Sequence, residues 1–153
     1  MLKMTSDEVM SFLADVFPQV DELKLRVERL EQGRARVRMP FQERHLRPGG
    51  TISGSSLCAV ADVTMYLLIL ARLGPVALAV TTNLNINFLR LPAARDIVAE
   101  ARMLKLGRRL AVGEVAVFSD GEEEMVAHAT LTYSIPPAEG ERPGEQDLRD
   151  TAL

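Results

Sequence analysis

The chain has a single cysteine, Cys58, and only two histidines, His45 and His128, among its 153 residues. One cysteine excludes an intramolecular disulfide framework and an all-cysteine metal site, and it fits a reducing compartment. Two histidines without a ligand-spaced cluster of carboxylates leave no expected zinc site, so no metal ligands are assigned. A large excess of one charge sign is lacking too. The formal net charge is −3, which offers no basic footprint for a nucleic acid. Arg34, Arg36 and Arg38 alternate along one segment and read as a solvated strand face. The amino-terminal stretch Met1-Leu-Lys-Met-Thr-Ser-Asp-Glu-Val has no basic start followed by an apolar run, so no signal peptide is read and a cytoplasmic location is expected. The one long apolar run is interrupted by Asp62 and Arg72, which argues for a core helix and against membrane insertion.

Hydrophobic residues make up 47% of the chain, enough for a packed core. Thr5-Ser-Asp-Glu reads as a helix cap, and Val9, Phe12, Leu13 and Val16 follow at helical spacing up to Pro18. Leu23, Leu25 and Val27 alternate with charged residues, as do Ala35, Val37 and Met39 after Gly33, which predicts a two-stranded hairpin. The stretch from Pro40 to Gly50 has no period and reads as a loop. A long apolar helix follows from about Gly54 to Leu73, stopped by Gly74-Pro75. Four strands are then expected, roughly 76–89, 97–106, 110–118 and 125–135, joined by turns short enough for antiparallel neighbours. From Pro136 the chain is polar, and a mobile tail over 137–153 is expected. A helix that is apolar nearly all round must be covered on several sides, which a curved antiparallel sheet would do. The sheet would keep an open edge, and a dimer joining two such sheets is the expected remedy.

Asp62 is the anomaly in this pattern. A carboxylate inside Leu57-Cys-Ala-Val-Ala-Asp62-Val-Thr-Met-Tyr-Leu is costly to bury without a compensating gain, which makes it the first candidate for chemistry. The preceding turn, Arg47-Pro-Gly-Gly-Thr-Ile-Ser-Gly-Ser-Ser56, would aim helix-opening amides at an oxygen placed there. Cys58 reads as small core filler, His128 as a structural strand residue and His45 as loop packing. Asn83, Asn85 and Asn87 alternate with Leu84, Ile86 and Phe88, and the same period places Thr81 on the asparagine face. Met65, Tyr66, Leu68 and Ile69 read as core, with the lining of a tunnel as the alternative.

The segments Gly50-Thr-Ile-Ser-Gly54, Leu57-Cys-Ala-Val-Ala-Asp62, Thr81-Thr-Asn-Leu-Asn-Ile-Asn-Phe-Leu-Arg90, Asp96-Ile-Val-Ala-Glu-Ala101 and Leu104-Lys-Leu-Gly-Arg-Arg-Leu-Ala-Val-Gly-Glu114 together resemble the hotdog-fold acyl-CoA thioesterases of the phenylacetate-degradation (PaaI-like) type. The resemblance spans about Val37 to Ile135. It implies an α+β hotdog domain over residues 1–136, with a curved antiparallel sheet of about six strands wrapped around one long central helix. It also implies hydrolysis of an acyl-CoA thioester without a metal or cofactor, coenzyme A being part of the substrate.

On that resemblance Asp62 is the base or nucleophile, Gly54 supplies the oxyanion N–H, and Thr81 helps to hold the water. Arg47 stands where the family commonly has a substrate-contacting asparagine. Ser53 and Ser55 flank Gly54 where the family turn commonly reads His-Gly-Gly, which puts both beside the substrate. Lys105, Arg108 and Arg109 cluster at one turn and are candidates for the phosphates of coenzyme A, a solvated turn being the other reading. Gly54 and Asp62 are eight residues apart, about 12 Å along a helix, so they meet only across a dimer, which could assemble further into a tetramer. A non-catalytic acyl-CoA sensor or carrier is the alternative, and a dehydratase a weaker one, since that chemistry pairs the acid with a histidine.

Overall fold

The computed structural model of the chain describes residues 1–137. The tail expected over 137–153 lies, from residue 138, outside the described residues. Helix α1 (Ser6–Val16) opens with the expected cap: the Thr5 hydroxyl accepts from the Glu8 N–H, and the Glu8 carboxylate accepts from the Thr5 N–H at 2.7 Å. Its buried face, Val9 and Leu13, packs into the core. The Lys3 N–H donates to the Ala71 carbonyl at 2.7 Å and ties the amino-terminal segment to the end of the long helix. Pro18 ends α1 and starts a short 3₁₀ turn, and Lys24 then adopts a left-handed φ of 54°. This turn delays the first strand, β1, to Arg26–Glu31, so Leu23 and Leu25 of the expected alternation precede it.

Strand β2 (Arg34–Met39) completes the hairpin. The segment read as a periodless loop holds more order than expected: a 3₁₀ turn at Glu43–His45 and a small hairpin of β3 (Leu46–Arg47) with β4 (Thr51–Ile52). Gly49 and Gly50, at φ of 99° and 76°, make the turn that folds Thr51 back onto Arg47. These two glycines therefore shape the hairpin, and Ser53-Gly54 alone opens the helix.

Helix α2 runs over Gly54–Leu73, as the hydrophobic pattern predicts. Strands β5 (Val80–Phe88), β6 (Ile97–Leu106), β7 (Leu110–Ser119) and β8 (Met125–Ser134) follow. The six long strands form one antiparallel sheet in the order β1-β2-β6-β7-β8-β5, wrapped on α2. Size complementarity explains the close approach of helix and sheet. The helix presents Leu57, Met65, Leu68 and Ile69, while the inner face of the sheet is rich in alanine, with Ala99, Ala101, Ala111, Ala127 and Ala129 all buried. At Gly113 the fit is closest, since a Cβ there would lie 2.5 Å from the Met65 sulfur. By length and composition α2 is apolar enough to cross a bilayer despite Asp62 and Arg72; here it is the buried core helix of a sheet.

The outer face carries the charges. Arg36 pairs with Glu28 and Glu100, and Arg38 with Glu28, Asp96 and Asp120. Arg36 and Arg38 thus form a paired strand face, each contact contributing about 0–1 kcal/mol. His128 joins this charged face, its Nε2 lying 3.1 Å from a Glu114 carboxylate that Arg102 also binds. Those two partners, Arg102 foremost, hold the Glu114 carboxyl below the usual carboxylate range.

Candidate active site

Gly54, Cys58 and Asp62 follow one another at intervals of four and so form one stripe along α2. At its start Ser53 caps the helix, its side-chain oxygen accepting from the Ser56 N–H at 3.2 Å. The Ser53 carbonyl takes the Leu57 N–H. The Gly54 and Ser55 amides are left without an acceptor among the described residues, the arrangement that suits a helix start to an anionic oxygen. The ring of Phe88, at the end of β5, packs directly on Gly54: a Cβ added there would meet it at 3.2 Å.

Two turns on, Asp62 is half-buried between the fully buried Ala61 and the buried Val63. Its Oδ1 accepts a hydrogen bond from the Thr81 hydroxyl at 2.7 Å and another from the Tyr133 hydroxyl at 2.5 Å. The Tyr133 oxygen also lies 2.8 Å from the Asp62 carbonyl. The second carboxylate oxygen, Oδ2, has no partner among the described residues. Burial first, and then the Asp62 charge, push the Tyr133 phenol far up, so it stays a proton donor. The Tyr133 ring stacks on Tyr66 with centroids 6.1 Å apart, and the Tyr66 hydroxyl donates to the Ala77 carbonyl at 3.0 Å.

Strand register delivers Thr81 and Tyr133 to one oxygen. They are direct partners in the β5–β8 pairing, but the next pair is Asn83 with Thr132, because a bulge between Thr81 and Asn83 inserts one residue. Simple alternation puts Thr81 on the asparagine face; the bulge turns it to the opposite face, toward the helix. Tyr133 is the residue that sequence reasoning misses. Its only signal is alternation in β8, which marks it as inward-facing, like Ala129 and Leu131.

The other candidates divide. Arg47 is exposed on β3, and Ser55 is exposed on the first turn of α2. Arg109 is bound to backbone: its Nε donates to the Ile135 carbonyl at 3.1 Å, and the Ile135 N–H donates to the Arg109 carbonyl at 2.8 Å. Lys105 and Arg108 are exposed around the same turn. The turn lies at the site end of the sheet, since Ala111 is the partner of Tyr133 in the β7–β8 register. Burial and the Asp62 charge both raise the Cys58 thiol, which keeps it protonated and poor as a nucleophile.

His45 is buried, and its Nδ1 has no partner among the described residues. Its carbonyl accepts the Ser53 N–H at 2.8 Å, which places it behind the helix start. Burial, and secondarily the neighbouring Arg44, lower its pKa. The unfolded chain therefore binds the proton more readily, so this contribution to stability is complete above about pH 6.5 and declines as the pH falls below it. The melting temperature is expected to drop between pH 7 and pH 5, and less steeply in His45→Leu; parallel curves from pH-dependent thermal melts would count against this assignment.

Residues 49–126 match the sequence model of the thioesterase superfamily. Among solved structures, one of a Silicibacter protein provisionally described as a thioesterase is 50% identical, covers 90% of this chain and 95% of its own, and superposes with a TM-score of 0.83. The phenylacetic acid degradation protein PaaI of Thermus thermophilus, solved as a mutant, is 32% identical over 78% of this chain and 99% of its own, with a TM-score of 0.68. A provisionally assigned esterase of Saccharolobus solfataricus is 29% identical over 127 residues, 80% of this chain and 89% of that protein. The match to the family model and the agreement in both sequence and fold with these structures lead to one conclusion: the chain belongs to the thioesterase superfamily and carries its hotdog fold.

Proposed function

We propose that the protein hydrolyses acyl-CoA thioesters to the free acid and coenzyme A, at a site shared between two copies of the chain. The observation that carries this reading is the asymmetric binding of Asp62. Thr81 and Tyr133 fix Oδ1 and leave Oδ2 as the oxygen that can act. As general base, Oδ2 takes a proton from water while the water oxygen bonds to the thioester carbonyl carbon. The carbonyl oxygen becomes an oxyanion and is stabilised by the Gly54 N–H. The tetrahedral intermediate then reforms the carbonyl as the C–S bond breaks, and the proton held by Asp62 passes to the departing thiolate. In the nucleophilic variant, Oδ2 itself bonds to the carbon, the C–S bond breaks and coenzyme A leaves as a thiolate that takes a proton from solvent, and water then hydrolyses the mixed anhydride to the free acid and the Asp62 carboxylate. Thr81 holds the acid through its proton and keeps oxygen lone pairs with which to accept from the water.

The fold supports a composite site. β5 is an edge strand, with one side unpaired over nine residues. Asp62 touches its beginning at Thr81, and Gly54 touches its end at Phe88. Two copies of β5 paired antiparallel about a two-fold axis bring the end of one strand beside the beginning of the other, and with them Gly54 of one copy toward Asp62 of the second. The basic turn at Lys105 and Arg108, at the site end of the sheet, suits the phosphates of coenzyme A.

The direct test is release of free thiol from short, medium, long and aromatic acyl-CoAs, together with sedimentation analysis of the active species. Full activity in a monomer would refute the shared site. Saturable binding of acyl-CoA without turnover would establish the second reading, a sensor or carrier, which the exposed Arg47 and the Ser53-Gly54-Ser55 turn favour. Tyr133→Phe removes one donor to a carboxylate, and roughly a tenfold loss in kcat is expected. An unchanged kcat in the folded variant would assign Tyr133 to packing alone.

A further inference from the structure

Beside Asp62 lies an open groove of about 460 Å³, between the end of α1, the middle of α2 and the segment leading into β5. Its lining hydroxyls are already committed, those of Thr81 and Tyr133 to Asp62 and that of Tyr66 to the Ala77 carbonyl. Among the described residues that line it, the one charged side chain is Asp62 itself. The mouth is formed by large apolar side chains left in water, with Phe17 40% exposed, Val80 55% and Leu78 78%. Val16 and Phe17 precede the family-matched segment 49–126, and Tyr133 follows it. Asp62 and Gly54 thus sit within the matched segment, while part of the groove is built by residues on either side of it.

We propose that this groove takes the acyl group of the thioester, that it selects uncharged, extended apolar acyl groups, and that Phe17 at the end of α1 is a specificity-determining residue. The inference rests on the hydrolase reading above. An acyl chain extending from a carbonyl at Asp62 covers Phe17, Leu78 and Val80, so each added methylene removes apolar surface from water. A terminal carboxylate on the acyl group would meet no cation in the lining and would share the groove with Asp62. Acyl groups of the dicarboxylic kind are therefore disfavoured. α1 can serve as a wall because its own anchor, Val9 and Leu13, is fully buried.

The test compares kcat/KM for acetyl-, butyryl-, hexanoyl-, octanoyl- and succinyl-CoA in the wild type and in Phe17→Ala. From acetyl to hexanoyl the wild type is expected to gain about fourfold per methylene, the value for a buried CH₂, and to discriminate against succinyl-CoA. Phe17→Ala flattens the chain-length dependence. Succinyl-CoA hydrolysed as well as butyryl-CoA, or an unaltered slope in Phe17→Ala, would overturn the proposal. Binding of the same straight-chain series to Asp62→Asn separates this inference from the hydrolase reading. A chain-length slope in binding without wild-type turnover retains the groove and removes the hydrolase, whereas turnover with no slope does the reverse. If Phe17→Ala dissociates the dimer and leaves chain-length preference intact, the face belongs to a second copy of the chain and the proposal falls.

Discussion

Asp62→Asn is expected to lower kcat for acyl-CoA hydrolysis by about 10²–10⁴-fold, the range for a positioned acid–base group. The hydrogen bonds to the carboxylate make this substitution clean. Oδ1 receives both donors, from Thr81 at 2.7 Å and from Tyr133 at 2.5 Å, and an asparagine carbonyl can accept both in the same place. The amide NH₂ then occupies the position of Oδ2, where it can neither take a proton nor attack a carbonyl. Fold and assembly should survive, because the substitution retains the buried acceptor and removes a charge from a half-buried site. Thiol release, thermal melts and sedimentation of the variant check this together. A folded, dimeric Asp62→Asn that keeps more than a tenth of wild-type kcat would end the assignment of Asp62 as base or nucleophile.

The second large effect is expected from removing the Gly54 N–H. Gly54 is the first residue of α2, a position where proline is well accepted because its N–H has no intrahelical partner. Ser53 before it already has φ −67° and ψ 150°, the extended conformation that a residue preceding proline prefers. Gly54→Pro therefore deletes the proposed oxyanion donor while keeping the helix, the Phe88 ring giving way to the added Cβ. A loss of about 10²–10³-fold in kcat is expected. Mixing the two inactive variants then tests where the site lies. In a heterodimer of Asp62→Asn with Gly54→Pro, one of the two shared sites receives both intact groups and the other receives neither. A randomly mixed population should regain about a quarter of wild-type activity, since half of its dimers are heterodimers and each holds one working site. If both groups acted within one chain, every site would carry a defect and mixing would restore nothing.

The two halves of the candidate site were unequally legible in the sequence. Asp62 and Gly54 lie on one continuous helix whose ends and period are local properties: a serine cap, an apolar run and a glycine stop. Local rules suffice there, and a carboxylate in an apolar run stands out against them. The basic turn at Lys105 to Arg109 was visible as a charge cluster, but the use of Arg109 to bind the Ile135 carbonyl was not, because its partner comes from the far end of the neighbouring strand.

By itself the sequence determined the larger elements of this protein, since helix α2 and the four strands after it follow from hydrophobic period and turn residues within a few positions, whereas the small β3–β4 hairpin has no such period. It also singled out Asp62 as the candidate acid, because burying an uncompensated charge is penalised wherever the helix packs. Only the tertiary structure decided what surrounds that acid. Tyr133 reaches Asp62 from 71 residues away, and nothing local to either residue records the contact. Thr81 joins it because a one-residue bulge reverses the parity of β5, and a bulge belongs to the pairing of two strands and not to one strand's alternation. Which carboxylate oxygen is held and which is left without a partner among the described residues therefore depends on register, a long-range property fixed when β5 and β8 pair and close over the helix.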